Sequence, residues 1–155
     1  MPIHNMIVLD PAGQPSPDGL QAAGPLRPIA VAVHPILAHQ LGGQGAAPPA
    51  PVGGVGLIDT GASVSAVEAA VVRQLGIPPI GTINVGTAGG VQQQAQYPAS
   101  FSFPGTGLPT INFNFVIGSN LTGQQPPIIA LIGRDVLRHF VMIYNGDFGQ
   151  VVLTI

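Results

Sequence analysis

Short apolar runs broken by glycine and proline set the rhythm of this chain. Met6-Ile7-Val8-Leu9 and Ile29-Ala30-Val31-Ala32-Val33 each have strand length and strand composition. Gly56-Leu57-Ile58 and Ile128-Ile129-Ala130-Leu131-Ile132 are apolar without alternation, as in strands covered on both faces. Tyr97, Ala99, Phe101 and Phe103 alternate with other residues, and Pro98 suits an edge strand. Ile111, Phe113 and Phe115 alternate with Asn112 and Asn114, the pattern of a half-buried strand. Val141 to Tyr144 and Val151 to Ile155 flank Asn145-Gly146, a hairpin-turn pair. Ile83 to Val85 and Val91 to Phe103 flank Gly86-Thr87-Ala88-Gly89-Gly90, which predicts a second hairpin with a mobile tip.

Helical signals are few. Ser65 and Glu68 have the spacing of a capping box, and Val67, Val71 and Leu75 share one helical face. Gly76 and Pro78-Pro79 then stop the pattern, so a helix is expected at about 65–75. Gly133-Arg134-Asp135-Val136-Leu137 opens a short helix at about 134–139. Residues 11–25 and 42–54 are rich in Gly, Pro, Ala and Gln and read as a linker or mobile loop and a long loop. The pattern as a whole predicts an all-β fold.

Composition narrows the function. The 155 residues suffice for one domain with a real core. Only 6% are charged and the formal net charge is −2. Four arginines and no lysine leave no basic patch for nucleic acid. There is no cysteine, and His4, His34, His39 and His139 lack metal-ligand spacing, so neither a metal nor another cofactor is expected. No run approaches a membrane span, and the N-terminus has no basic region followed by an apolar stretch. A cytoplasmic protein, or a soluble domain of a larger one, is the expectation.

The chemistry concentrates at Asp59-Thr60-Gly61-Ala62-Ser63, directly after an apolar strand. A carboxylate at the end of a buried strand needs partners or a shifted pKa and is a candidate for acid–base work. Its plain alternative is an Asx-turn residue.

Together with the later apolar-apolar-Gly-Arg-Asp-x-Leu, this motif resembles the retroviral-type (retropepsin-like) aspartic proteases and their bacterial and cellular relatives. The resemblance covers roughly residues 27–155, after an N-terminal strand and Pro/Gly-rich segment at 1–26. It implies a closed, barrel-like β fold with a flap hairpin. It implies an aspartic endopeptidase acting on polypeptide, with Asp59, Thr60 and Gly61 catalytic. Ala62 and Ser63 would line the substrate cleft, and Gly86, Thr87, Ala88, Gly89 and Gly90 would form the flap tip that closes over substrate. Thr60 would bond across a dimer axis, and Arg134 and Asp135 would support the loops near it. Retroviral members carry an Asp at the position of Ser63 that pairs with the later Arg, so the salt-bridge role of Arg134 does not carry over directly. The chemistry needs two carboxylates and the motif occurs once, which points to a symmetric homodimer. A non-catalytic dimerisation or peptide-binding module of the same fold is the alternative.

Overall fold

Strand-forming runs too short to stand alone must pair with distant ones, and that pairing defines the molecule. A computed structural model describes residues 3–9, 12–87, 89–123 and 127–155. Two sheets result.

The larger sheet contains β2 (Leu26–Val33), β3 (Val52–Ile58), β4 (Ala66–Glu68), β5 (Gly81–Thr87), β6 (Gly90–Ser102), β7 (Ile111–Ser119) and β8 (Ala130–Ile132), in the order β2-β3-β8-β4-β7-β6-β5. Strand β6 pairs back onto β2, Ala30 opposite Ser102 and Val33 opposite Ala99, so six of the strands close on themselves. The expected all-β, barrel-like architecture is therefore present. β5 and the first half of β6 extend from it as the flap hairpin. Pro98 sits at a register shift between β6 and β7, where β6 ends its pairing with β5 and begins pairing with β2. A bulge tolerates the missing N–H there, so Pro98 marks a change of partner and not an edge.

The core fills the closed sheet with Ile29, Val31, Val67, Phe101, Val116 and Ile132. Phe101 and Phe113 stack at 4.7 Å between ring centroids, tilted by 58°. Inward positions of β2 alternate, and Arg27 takes the first of them, only 1% exposed.

The smaller sheet has the order β1-β10-β9, from β1 (Ile3–Ile7), β9 (Val141–Asn145) and β10 (Gln150–Thr154). Val151 and Leu153 turn one face of it into the core. Register places Ile3, Val141 and Ile143 on the other face, at 67%, 61% and 56% exposure.

Several sequence expectations are corrected. No helix spans 65–75. Ala66–Glu68 is a strand, and α3 covers only Ala69–Gln74. Ser65 is not its N-cap, because its hydroxyl is taken by distant partners; Glu68 caps Ala70 instead, at 3.2 Å. Gly76 does close the helix, with φ of +64°. The segment read as a linker holds α1 (Pro17–Ala23), capped by Ser16 Oγ accepting from Gly19 N–H at 3.0 Å. Helix α2 (Pro35–Gly43) and the start of β3 at Val52 shorten the expected long loop. The last short helix, α4, is Arg134–Leu137. Asn145-Gly146 is not a two-residue turn; a 3-10 turn over Gly146–Phe148 leads to Gly149 at φ +56°. A Cβ on Gly149 would sit 2.7 Å from the Ser16 backbone, so α1 docks there against glycine alone.

Candidate active site

β3 and β8 run parallel, Ile58 beside Ile132, and both end in turns that carry the polar residues. Asp59 leaves β3 with its N–H donating to the Ile132 carbonyl at 3.0 Å. Asp59 Oδ1 accepts from Gly61 N–H at 2.8 Å and from Ala62 N–H at 3.2 Å. The Asx-turn reading is thus correct as geometry, and it leaves Oδ2 with no donor among the described residues. A side chain on Gly61 would start 3.0 Å from Oδ1, close enough that the carboxylate would have to give way by a few tenths of an ångström.

The second turn locks the first. Arg134 N–H donates to the Ala62 carbonyl at 2.9 Å. The exposed Arg134 guanidinium donates through Nη1 to the Thr60 carbonyl at 2.7 Å and the Gly61 carbonyl at 3.0 Å. Arg134 therefore acts on backbone carbonyls of the Asp59 turn, in keeping with Ser63 offering no carboxylate. Asp135 accepts the Ser65 hydroxyl, the Ser65 N–H and the Val136 N–H. Asp135 does not cap α4, whose N-cap is Gly133 without a side-chain bond; it holds the Ser65 segment instead. Gly133 N–H donates to Ser65 Oγ at 3.0 Å, and a Cβ on Gly133 would lie 2.8 Å from the Val64 carbonyl carbon.

These turns floor a cleft of about 340 Å³. Asp59, Gly61, Ala62 and Ser63 line it from below, and Val85, Gly86, Thr87 and Gln94 from the flap. Asp59 is the one ionisable lining residue among the described residues. Thr87 Oγ1 donates to the Gly90 carbonyl at 2.9 Å and accepts from Gly89 N–H at 3.2 Å, so Gly89 and Gly90 shape the hairpin tip without lining the cleft. Ala88 lies outside the described residues. Thr60 is exposed and does not line the cleft. Sequence reasoning missed Val64, Ala66, Val85, Gln94, Ile117, Ser119 and Leu131 among the lining residues. Their alternation within strands shows that they face one side, but not that this side is the cleft. Tyr97 is half-buried against the core and over Gly118.

Among the described residues, no three His, Cys, Asp or Glu side chains gather as a metal site, and no helix is long and apolar enough to cross a membrane.

The cleft thus holds an aspartate turn braced by a second turn, beneath a flap hairpin. Residues 50–136, more than half of the chain, match the aspartyl protease family, and the chain belongs to that family. The crystal structure of a retropepsin-like aspartic protease from Rickettsia conorii aligns over 97% of this chain and 90% of its own, at 15% identity and a TM-score of 0.41. A search of curated protein sequences gave no match.

Proposed function

We propose that the chain, with residues 27–155 as its protease domain, works as a homodimer that hydrolyses peptide bonds with water held between two copies of Asp59. The carrying observation is that Asp59 alone brings a carboxylate into the cleft, with Oδ1 tied to its own turn and Oδ2 left without a donor among the described residues. Two carboxylates at contact share one proton. The ionised partner takes a proton from water, whose oxygen attacks the carbonyl carbon. The protonated partner gives its proton to the carbonyl oxygen, forming a neutral tetrahedral diol. Collapse of the diol breaks the C–N bond as the leaving nitrogen gains a proton, and the shared proton is restored. Thr60 would meet its counterpart across the axis, and Arg134 and Asp135 would hold the loops that present it.

Support for a second copy comes from the outer face of the β1-β10-β9 sheet, where Ile3, Val141 and Ile143 stand in solvent. Substrate would lie extended between the Asp59 turn and the flap, its backbone adding to the hairpin and its side chains to Val85, Ile117 and Leu131.

The test is subunit mixing with Asp59→Asn, which is nearly isosteric. The variant alone should fold, assemble and hydrolyse nothing in a mixed peptide library. Excess variant should poison the wild type, because a mixed dimer holds one carboxylate. Activity that stays proportional to wild-type protein alone would overturn the shared site.

A further inference from the structure

The chemistry above leaves unused the one carboxylate that is buried among the described residues. Glu68 ends β4 opposite Ser119 in the parallel pairing with β7. Its Oε2 accepts from Leu121 N–H at 2.6 Å and Thr122 N–H at 3.1 Å, and its Oε1 from Ala70 N–H at 3.2 Å. Leu121 is itself buried. The chain entering this anchor is the end of β7, whose Ile117 and Ser119 line the cleft.

On the peptidase reading, we infer that Glu68 is a positioning residue for substrate: by gripping the Leu121 and Thr122 amides it sets the path of the chain after Ser119, and so the Ile117–Ser119 wall of the cleft. A carboxylate suits the task because both oxygens accept and neither donates. Glutamine keeps one accepting oxygen and turns an NH2 group against backbone donors.

The anchor also responds to acid. Burial pushes the Glu68 carboxyl up, while the Leu121, Ala70 and Thr122 N–H groups and the positive charge of Arg73 hold it down; the net shift is below its ordinary value of 4.5. Among the described residues, Arg73 is the charged group that acts on it. A lowered carboxyl stays ionised as pH falls into the ordinary carboxylate range and loses its charge only below it. The wall should then be firm through mildly acidic conditions and loosen only below them.

Glu68→Gln tests this. In the variant, KM should rise roughly three- to tenfold with kcat nearly unchanged, since a lost wall contact weakens ground and transition states alike. The wild-type KM should rise only at the acid end, and that of Glu68→Gln should be raised and flat. In the free wild-type protein, the Leu121 and Thr122 amide NMR shifts should follow the Glu68 titration. An unchanged KM, or kcat lost in step with melting temperature, overturns the assignment. Amides that ignore the titration overturn the anchor even in an active peptidase. Amides that follow it in a protein without peptidase activity sink the peptidase reading and, with it, the link to substrate.

Discussion

Ser65 and Asp135, 70 residues apart, meet through two hydrogen bonds, hydroxyl to one carboxylate oxygen at 2.7 Å and N–H to the other at 2.9 Å. The Ser65 side chain is fully buried and also accepts the Gly133 N–H. One serine therefore joins the strand after the Asp59 turn to the turn that carries Arg134. The closeness of Gly133 to the Val64 backbone leaves no slack in that joint.

Ser65→Ala should consequently cost more than an average surface change. It strands the Gly133 N–H and removes one donor from Asp135, a loss of about 1–3 kcal/mol. Because the joint also sets where Arg134 reaches the Thr60 and Gly61 carbonyls, kcat should fall in correctly folded protein. Urea unfolding and kinetics on active-site-titrated enzyme would measure the two effects. Stability and kcat both within error of wild type would remove Ser65 from the architecture argued above.

The parts of this site that were legible in the sequence are local. Asp59 to Ser63 and Gly133 to Asp135 are turn residues attached to apolar strands, and the Gly86–Gly90 cluster marks a hairpin tip without reference to anything distant. Failures came where tertiary partners claimed a side chain. Ser65 and Glu68 have capping-box spacing, yet Asp135 takes one and Leu121 and Thr122 take the other, so Ala66–Glu68 is drawn out as a strand between β7 and β8. Helix α1 was hidden differently. Ser16-Pro17-Asp18 carries a proper helix start, but the Gly/Pro/Gln-rich surroundings masked it. Gln94, Ile117 and Ser119 join the cleft only through the way the flap and β7 fold over the Asp59 turn, which no local pattern encodes.

Arg27 should be replaceable with a gain. It is 1% exposed, Nε and Nη1 have no acceptor among the described residues, and the guanidinium carbon lies 5.8 Å from the centre of the Phe103 ring. Burial lowers its pKa from the usual guanidinium range to about 10. The folded state thus disfavours the charged form, so the cation costs stability at every pH below about 10 and is relieved only as pH rises through that value. The shift corresponds to about 3 kcal/mol. Allowing for the lost ring contact and imperfect repacking, Arg27→Met should stabilise the protein at pH 7 by roughly 1–2 kcal/mol. Thermal unfolding should show an increase of several degrees. A lower melting temperature would mean that the guanidinium finds acceptors in solution.

Ile143→Glu should separate folding from assembly. Ile143 stands 56% exposed on the outer face of the small sheet, beside Val141 and Ile3, while Val151 and Leu153 on the opposite face secure the fold. A carboxylate at Ile143 therefore meets water in the monomer and should leave its melting temperature nearly unchanged. Between two copies the same substitution buries charge against apolar surface on both sides of the axis, weakening association by roughly 2 kcal/mol or more. Sedimentation should show the variant dissociating at concentrations where the wild type stays dimeric. Its specific activity should fall on dilution over the same range and recover when the protein is concentrated, because mass action rebuilds the two-carboxylate site. A variant that keeps the wild-type dissociation constant would move the dimer interface off this face. A wild type that is monomeric at full, concentration-independent activity would remove the second copy from the mechanism altogether.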